Sequence, residues 1–272
     1  MKIALNGASG FVGTALQKTF KDSVILDRHD DESQLLAKLE GVDVVINLAG
    51  APIIKRWSEA YKRTLVNSRI NTTHKLITAI NQSNVSHLVS TSAIGIYPNN
   101  ISCDESCEAF QDDFLAKLTQ AWEREALRCN KETTLLRFGV VLGKEGGALA
   151  QMLTPFKLGL GGTIADGSMM LSWIHIKDLV RIYEFIIAQK LTGVYNATAP
   201  HPVSNRLFTK TLGGALKRPT VLPVPKFVLR LMYSEGASVL TDSKEVYPKS
   251  LQEAGFDFNY PEIQTALDDL LT

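Results

Sequence analysis

Residues 2–13, KIALNGASGFVG, decide the fold of this chain. The apolar run before the first glycine predicts a buried strand, and the apolar spacing of residues 11–20 predicts a helix. Glycines between a strand and a helix let backbone N–H groups approach a pyrophosphate, and the helix N-terminus adds favourable partial charge. A plain glycine turn has the same spacing, but the place of this loop in the first β-α unit favours a dinucleotide site. The predicted contacts are Gly7, Ser9, Gly10, Phe11, Val12 and Gly13.

Apolar runs and helical spacing alternate beyond this loop. Strands are predicted at 24–26, 42–48, 87–91 and 134–138, and helices at 35–39, 58–82 and 112–129. Nearly continuous apolar runs are typical of parallel strands that are covered on both faces. The order predicts an α/β fold, a Rossmann-type doubly wound parallel sheet.

The composition changes after residue 143, where glycines and then prolines become frequent. This change predicts a smaller, loop-rich C-terminal substrate lobe. A helix at 179–188 and a strand at 193–196 interrupt the lobe and are expected to rejoin the main sheet. The predicted division is residues 1–146 and 173–199 for the dinucleotide-binding domain, and residues 147–172 and 200–272 for the lobe.

Charge and composition exclude several classes of partner. The chain has 272 residues, 45% of them hydrophobic, and a formal net charge of +1. So small a charge predicts no nucleic-acid partner, and no apolar run reaches the roughly 18 residues that span a bilayer. A cytoplasmic protein without a membrane partner is expected, because the N-terminus lacks the features of a signal peptide. The odd cysteine count argues against a disulfide framework, and no metal site is expected because Cys103 and Cys107 have no His or second Cys pair nearby.

The tip of the second predicted strand leaves the identity of the dinucleotide open. Asp27 lies near the spacing expected for a carboxylate on the ribose 2′-hydroxyl, which favours NAD. Arg28 follows it and could pair with a 2′-phosphate, which favours NADP. Both could also be solvated surface charges.

Further motifs carry a family resemblance. They are Asn47-Leu48-Ala49-Gly50, Ala51-Pro52-Ile53 with Lys55-Arg56-Trp57, Ser90-Thr91-Ser92, Leu136-Arg137-Phe138-Gly139-Val140-Val141-Leu142-Gly143, Ser172-Trp173-Ile174-His175-Ile176-Lys177-Asp178-Leu179 and Pro248-Lys249-Ser250-Leu251. Together with the glycine loop they resemble the extended short-chain dehydrogenase/reductases. Within that group the chain resembles the atypical, nucleoside-diphosphate-sugar-epimerase-like proteins over essentially its whole length.

The resemblance implies a Rossmann domain, a substrate lobe and a nicotinamide dinucleotide. Arg28 stands where the subgroup usually has Arg, which favours NADP, although Asp27 replaces a usually neutral residue and keeps NAD open. The further cofactor contacts implied by the resemblance are Leu48, Ala49, Gly50, Thr91, Arg137, Phe138 and Gly139.

Two departures from the family pattern affect the adenine end and the chemistry. Family members usually carry another helix and an edge strand between the positions of Arg28 and Val42, where this chain has room for one helix. We therefore expect the second strand at or near the sheet edge, beside a more open adenine pocket.

Ser92 matches the family's Ser, but Leu115 and Thr119 stand where the family has its Tyr and Lys. The usual Tyr-Lys pair is therefore absent, as it is in the atypical subgroup.

Other side chains at the carboxyl end of the sheet could replace that pair. Tyr97 follows Ser92 closely, so these two are the predicted catalytic residues, although the pKa of a tyrosine, about 10, would need lowering. The predicted substrate-binding residues are Lys55, Arg56, Trp57, Arg69 and His175. A solvated loop explains Lys55 and Arg56 equally well, and a structural role is the simpler reading of His175.

Two functions follow from these patterns. One is an NADP-dependent oxidoreductase or epimerase that acts on a small-molecule substrate, which the retained Ser92 favours. The other is a catalytically inactive dinucleotide-binding redox sensor or scaffold, which the missing Tyr-Lys pair favours. By analogy with the fold, helices near 58–82 and 112–129 could form a homodimer seam.

Overall fold

The computed structural model describes all 272 residues. Its strands are β1 Ile3–Asn6, β2 Val24–Leu26, β3 Val44–Asn47, β4 His87–Ala93, β5 Ser102–Cys103, β6 Glu132–Phe138, β7 Val140–Leu142, β8 Met170–Leu171, β9 Trp173–His175, β10 Gly193–Ala197, β11 Val203–Ser204 and β12 Glu245–Val246. Its α-helices are α1 Phe11–Thr19, α2 Glu32–Lys38, α3 Glu59–Val66, α4 Thr72–Asn81, α5 Phe114–Ala126, α6 Gly147–Lys157, α7 Ile176–Gln189, α8 Asn205–Ala215, α9 Lys226–Tyr233, α10 Ser238–Thr241, α11 Lys249–Glu253 and α12 Ile263–Leu271.

Six strands form one central parallel sheet in the order β10-β6-β4-β3-β1-β2. This confirms the predicted Rossmann-type α/β fold, including the return of residues 193–196 to the sheet. Strand β2 is the edge strand, as the short connection after Arg28 predicts, and its Ile25 is 42% exposed. The sheet therefore ends where the adenine side of a dinucleotide would lie.

Two apolar clusters cover the two faces of this sheet. One packs α1 and α7 against strand residues such as Leu5, Ile46 and Leu136. The other packs α2 and α4 against the opposite side chains of β1 and β3, including Ala4 and Val45. Alternate residues of each strand thus enter different cores, which is why the strands read as continuous apolar runs.

A third apolar cluster lies beside the sheet and surrounds Trp173, whose side chain is fully buried. Helices α6, α8 and α12 supply most of its side chains. Most of its side chains come from the ranges predicted as the C-terminal lobe, whereas Leu142, Trp173 and Ala199 come from the ranges predicted as the dinucleotide-binding domain. The division into domain and lobe stays a prediction. None of the helices is long and apolar enough to cross a membrane.

The predicted helix over 58–82 is continuous but contains one π-helical turn. Residues Asn67–Asn71 form this turn between α3 and α4. π-Turns frequently occur at functional sites because the extra residue re-aims neighbouring side chains. Helices α4 and α5 pack against each other through a His74–Glu125 contact of 2.8 Å. A dimer seam on these helices stays a prediction.

His175 joins the sheet domain to the lobe and is fully buried. Its Nδ1 accepts the Lys177 N–H at 3.0 Å and so caps α7. Its ring stacks on Tyr260 at 3.8 Å, and its Nε2 lies 3.2 Å from Asp269. The substrate-binding role predicted for His175 is therefore replaced by a structural one, because no atom of this side chain is accessible.

Burial lowers the pKa of His175 to about 4, although Asp269 and Asp178 oppose the shift. The unfolded chain binds a proton at this histidine below about pH 6.5, whereas the folded chain binds it only near pH 4. The free energy of unfolding therefore decreases as the pH is lowered from about 6.5 to about 4. We expect the free energy of unfolding of the wild type to fall by about 1 kcal/mol more than that of His175→Asn between pH 7 and 5.5. Urea titrations of both proteins at pH 7 and 5.5 measure these free energies. The same difference between wild type and variant at both pH values would contradict the prediction.

Helix α7 ends at Lys190, which adopts the left-handed conformation with φ 51° and ψ 41°. A non-glycine residue is strained there, whereas glycine is not. We expect Lys190→Gly to raise the free energy of unfolding by about 1 kcal/mol. The control Lys190→Ala removes the same exposed side chain but keeps the strain, so it should bring no gain. Equal free energies of unfolding of the two variants would show that the left-handed backbone at residue 190 stores no strain that glycine relieves.

Candidate functional site

The glycine loop between β1 and α1 is packed so closely that two of its glycines cannot carry a side chain. Gly7 has φ +87°, and a Cβ there would lie 2.9 Å from the backbone carbon of Leu48. A Cβ on Gly13 would lie 2.5 Å from the Gly7 oxygen. The loop can therefore turn tightly, and the first turn of α1 can approach it.

The N-terminus of α1 is free to bind an anion. Gly10 is its N-cap and offers no side-chain cap, and no acidic residue occupies the first turn. The N–H groups of residues 11–13 find no partner within the chain. The ring of Phe11 packs on a second glycine loop, where a Cβ on Gly143 would lie 2.3 Å from it. These features fit a pyrophosphate, because free N–H groups and the helix dipole stabilise its charge.

A buried network of amides and hydroxyls holds the next loop at the same end of the sheet. Asn47 accepts from Asn6 Nδ2 at 2.9 Å and donates to Thr73 Oγ1 at 3.0 Å and Ser90 Oγ at 3.2 Å. The loop Leu48-Ala49-Gly50 follows Asn47 directly. Asn6 and Thr73 escaped the sequence analysis, since single polar residues in apolar runs carry no motif.

Arg69 lies in the π-helical turn directly beneath this loop. A Cβ on Gly50 would lie 3.1 Å from its Cζ, and its Nη2 donates to the Ala51 oxygen at 3.1 Å. The guanidinium also lies over the Trp122 ring at 5.3 Å. No carboxylate pairs with it, and burial lowers its pKa to about 10, which keeps it charged at neutral pH. A partly buried cation without a counter-ion is suited to an anionic group of a ligand.

The tip of β2 presents both residues that bear on the dinucleotide. Asp27 is exposed, and its carboxylate accepts the His29 N–H at 2.8 Å. The exposed Arg28 donates from Nε to His29 Nε2 at 3.1 Å and has no carboxylate partner. Its guanidinium is thus available to a phosphate, whereas the carboxylate of Asp27 already organises the turn.

Both predicted catalytic hydroxyls belong to one buried network around Glu123. Ser92 Oγ donates to Glu123 Oε1 at 2.5 Å. Arg137 pairs with the same carboxylate through two bonds of 2.7 and 2.8 Å. Arg137 also donates to Tyr97 Oη at 2.8 Å, and Tyr97 donates to Asn196 Oδ1 at 2.9 Å.

This network changes the roles expected of its members. Tyr97 is fully buried, and burial raises its pKa against the opposing effect of Arg137. The predicted catalytic role of Tyr97 thereby loses its geometric basis, since a proton donor must reach the substrate. The Arg137 side chain is committed to Glu123, so a cofactor contact would have to come from its neighbours. Those neighbours are also closely packed: Phe138 meets the Tyr183 ring edge-on, and a Cβ on Gly139 would lie 2.8 Å from the Ser172 oxygen.

Thr91, the remaining cofactor contact implied by the resemblance, lies on β4 beside this network. Its Oγ1 is 3.0 Å from the Tyr183 hydroxyl, on the side of the sheet that α7 covers. Its position near the carboxyl end of a central strand agrees with a place beside the nicotinamide half of a dinucleotide.

A cleft of about 590 Å³ opens between the N-terminus of α5 and the C-terminal lobe. Two residues singled out by sequence line it: Trp57, and Leu115, which the family resemblance aligns with the usual Tyr. The other lining residues are Asn99, Gln111, Asp113, Phe114, Arg230, Ser234, Glu235, Ala237, Ser238, Thr241 and Asp242. The cleft is therefore the candidate substrate site.

The loop carrying Lys55, Arg56 and Trp57 forms one rim of this cleft by docking on the lobe. Arg56 Nη1 donates to the Leu231 oxygen at 2.9 Å, and a Cβ on Gly236 would lie 2.4 Å from the Lys55 oxygen. Trp57 is buried and meets the Phe114 ring at 5.4 Å. Of Lys55, Arg56 and Trp57, only Trp57 therefore lines the cleft, while Arg56 holds the loop against the lobe.

The polar groups of the cleft differ in how far they are already partnered. Asp113 caps α5 by accepting the Ala116 N–H at 2.8 Å, and Glu235 pairs with Lys62 at 2.7 Å. The buried Oδ1 of Asn99 has no partner. Asp242 makes no ion pair, and burial raises its pKa. Sequence reasoning missed both, because no motif surrounds them and α10 lies far from the sheet domain in sequence.

Two models of protein families match this chain. The model of the NAD dependent epimerase/dehydratase family matches residues 3–198, and a domain of unknown function, DUF1731, matches residues 224–270. The second match includes α9 and α10, which line the cleft.

Individual relatives cover nearly the whole chain. A chloroplastic epimerase family protein SDR39U1 homolog of Arabidopsis thaliana is 37% identical over 98% of this chain and 86% of its own length. An epimerase family protein of Staphylococcus aureus is 36% identical over 98% of both chains.

Solved structures agree with the fold throughout. The human epimerase family protein SDR39U1, crystallised with NADPH, superposes with a TM-score of 0.93 at 31% identity and covers 100% of this chain and 99% of its own. A Thermus thermophilus UDP-glucose 4-epimerase in complex with NAD reaches 0.80 at 17% identity, with 100% and 98% covered, and so supports the fold alone. This chain belongs to the NAD dependent epimerase/dehydratase family.

Proposed function

We propose that the protein is an NADP(H)-dependent oxidoreductase or epimerase of small carbonyl- or hydroxyl-bearing substrates. The observation that carries this proposal is the close-packed glycine loop beside the uncapped N-terminus of α1, which suits a pyrophosphate. The related human protein solved with NADPH supports the same reading. A bound nicotinamide would supply or accept hydride at the carboxyl end of the sheet.

NADP is favoured over NAD by the free cation at the tip of β2. Arg28 is exposed and has no acidic partner, so it can pair with a 2′-phosphate through two charge-assisted hydrogen bonds. Asp27 is engaged with the His29 N–H, which weakens its claim on the ribose 2′-hydroxyl.

Proton transfer in the cleft is best assigned to Asp242. Asp113 is held as a helix cap, and Glu235 is paired with Lys62. Asp242 has no ion-pair partner, and burial raises its pKa against the lowering effects of a hydrogen bond with Asn99 and of the nearby Lys244, while Asp113 acts in the same direction as burial. A carboxyl group in this state can give a proton to a substrate oxygen or remove one from it.

A catalytically inactive sensor or scaffold is the second candidate. The family resemblance implies that Leu115 and Thr119 stand in place of the usual Tyr and Lys, which favours this candidate. Thr119 Oγ1 donates to the Leu115 oxygen at 2.8 Å. Ser92 is likewise committed to Glu123. A protein of this kind would bind NADPH but would turn over no carbonyl substrate.

The first prediction from this proposal concerns cofactor choice. We expect Arg28→Ala to raise the Kd for NADPH by about tenfold or more, because it removes charge-assisted bonds to the 2′-phosphate. The Kd for NADH should stay within about twofold, since NADH has no such phosphate. Nicotinamide fluorescence titrations measure both constants. The control Lys21→Ala removes an exposed cation before the opposite end of β2 and should change neither.

Failure of NADPH to bind the wild type below millimolar concentration would overturn the whole proposal. Equal losses of NADPH and NADH affinity in Arg28→Ala would instead overturn only the assignment of the 2′-phosphate.

The second prediction concerns the proton. In a panel of aldehydes and ketones with NADPH, we expect Asp242→Asn to lower kcat by about a hundredfold or more, the usual contribution of general acid catalysis. Its Kd for NADPH should be unchanged, because Asp242 lies in the cleft and outside the glycine loop. The matched control Glu235→Gln neutralises another carboxylate of the cleft, and its kcat should stay within about threefold.

Turnover that survives in Asp242→Asn would reject the role of this residue without touching cofactor binding. If the wild type binds NADPH tightly but reduces no member of the panel, the second candidate function is favoured.

A further inference from the structure

Two of the three cysteines face each other at the start of the loop that leads to the cleft. The Sγ atoms of Cys103 and Cys107 are 2.6 Å apart, whereas a disulfide bond measures about 2.05 Å. We propose that this pair is a redox modification site, at which peroxide converts the two thiols into an intrachain disulfide. The pair lies outside the glycine loop and does not line the cleft, so this inference is independent of the proposed function.

The backbone already holds the two sulfurs in place. Cys103 lies on β5 and pairs in parallel register with Val246 of β12. The Cys107 N–H donates to the Asp104 oxygen at 3.1 Å and closes a turn between the two cysteines. Asp104 Oδ1 accepts the Ser106 N–H at 2.8 Å and stiffens that turn. Closing the bond therefore requires a shift of a few tenths of an ångström between the sulfurs and no refolding of the loop.

The environments of the two thiols give them different roles. Cys103 is 3% exposed, and burial together with the neighbouring thiol raises its pKa to about 12. Cys107 is partly exposed at the surface of the same cluster. Cys107 is therefore the sulfur that an oxidant reaches first, and Cys103 is the resolving thiol.

The chemistry balances with peroxide as the oxidant. The Cys107 thiol releases its proton to solvent, and the thiolate attacks one peroxide oxygen. The O–O bond breaks, a sulfenic acid forms, and the hydroxide that leaves takes up the released proton to give one water. The Cys103 sulfur then attacks the sulfenic sulfur, the S–O bond breaks, and a second water leaves as the S–S bond forms. Two thiols thus lose two electrons and two protons, and one hydrogen peroxide becomes two waters.

The turn between the cysteines carries a residue that joins separate parts of the fold. Glu105 accepts the Asn196 N–H of β10 at 2.8 Å and the Ser250 N–H of α11 at 3.1 Å. The same loop continues to Gln111, which lines the cleft. A disulfide would restrict the motion of this turn and so maintain the two hydrogen bonds that Glu105 accepts. Oxidation would therefore make residues 103–111, which lead to the cleft, more rigid.

Thiol trapping tests the site directly. The reduced full-length protein is exposed to hydrogen peroxide at neutral pH, alkylated with N-ethylmaleimide and analysed by intact and peptide mass spectrometry. We expect the number of adducts to fall from three to one, with the remaining adduct on Cys129, and dithiothreitol to restore all three. Cys129 is the internal control, because it packs at the edge of a different apolar cluster.

The same samples report the structural consequence. Amide exchange of residues 103–111 should slow by about tenfold in the oxidised wild type, since a closed turn opens less often. The variant Cys107→Ala should show no change with peroxide. Retention of three adducts, oxidation confined to Cys129, or disulfide-linked dimers would overturn the proposal, and unchanged exchange in a protein that carries the disulfide would overturn its effect on the loop.

Discussion

Helix α5 depends on one buried ion pair, formed by Glu123 and Arg137. The two side chains are 8% and 5% exposed and meet through two hydrogen bonds. A charge buried in this way is strongly destabilising when its partner is missing, so each residue requires the other. Two hydroxyls complete the hydrogen bonding of the pair: Ser92 donates to Glu123, and Tyr97 accepts from Arg137. Strands β4 and β6, helix α5 and, through Asn196, strand β10 are thereby held in one register.

This constraint also determines which groups are left for chemistry. Ser92 and Tyr97 stabilise the ion pair, so their hydroxyls are not available to a ligand. The groups with unmet polar or charge requirements lie elsewhere. The N–H groups at the start of α1 and the Oδ1 of Asn99 have no hydrogen-bond partner, and Arg28, Arg69 and Asp242 make no ion pair. Polar groups in proteins are normally paired, so this uneven distribution is the main structural argument for the position of the site. It supports the proposed dinucleotide site on the glycine loop and the proposed substrate site between α5 and the lobe.

The sequence and the structure agree best where local rules apply. The apolar runs predict all six strands of the sheet, and the short segment between Arg28 and Val42 predicts that β2 is at its edge. The π-turn around Arg69 was not predicted, because helical periodicity is hardly disturbed by one extra residue. Asp242 and Asn99 were not predicted either. Each is an ordinary polar residue in sequence, and only the docking of the lobe on α5 makes it part of a cleft.

The sequence by itself determined the positions of the sheet strands, the edge position of β2, the glycine loop and the family of the chain. These properties depend on backbone conformation and side-chain periodicity, which neighbouring residues specify. The tertiary structure alone decided which polar side chains are partnered and which remain free. Tyr97 and its acceptor Asn196 are 99 residues apart, and Arg56 lies 175 residues from the Leu231 oxygen that it binds. Partners so distant in sequence leave no local pattern. Only the tertiary structure therefore shows that the Tyr97 hydroxyl is buried and that Asp242 lines the cleft.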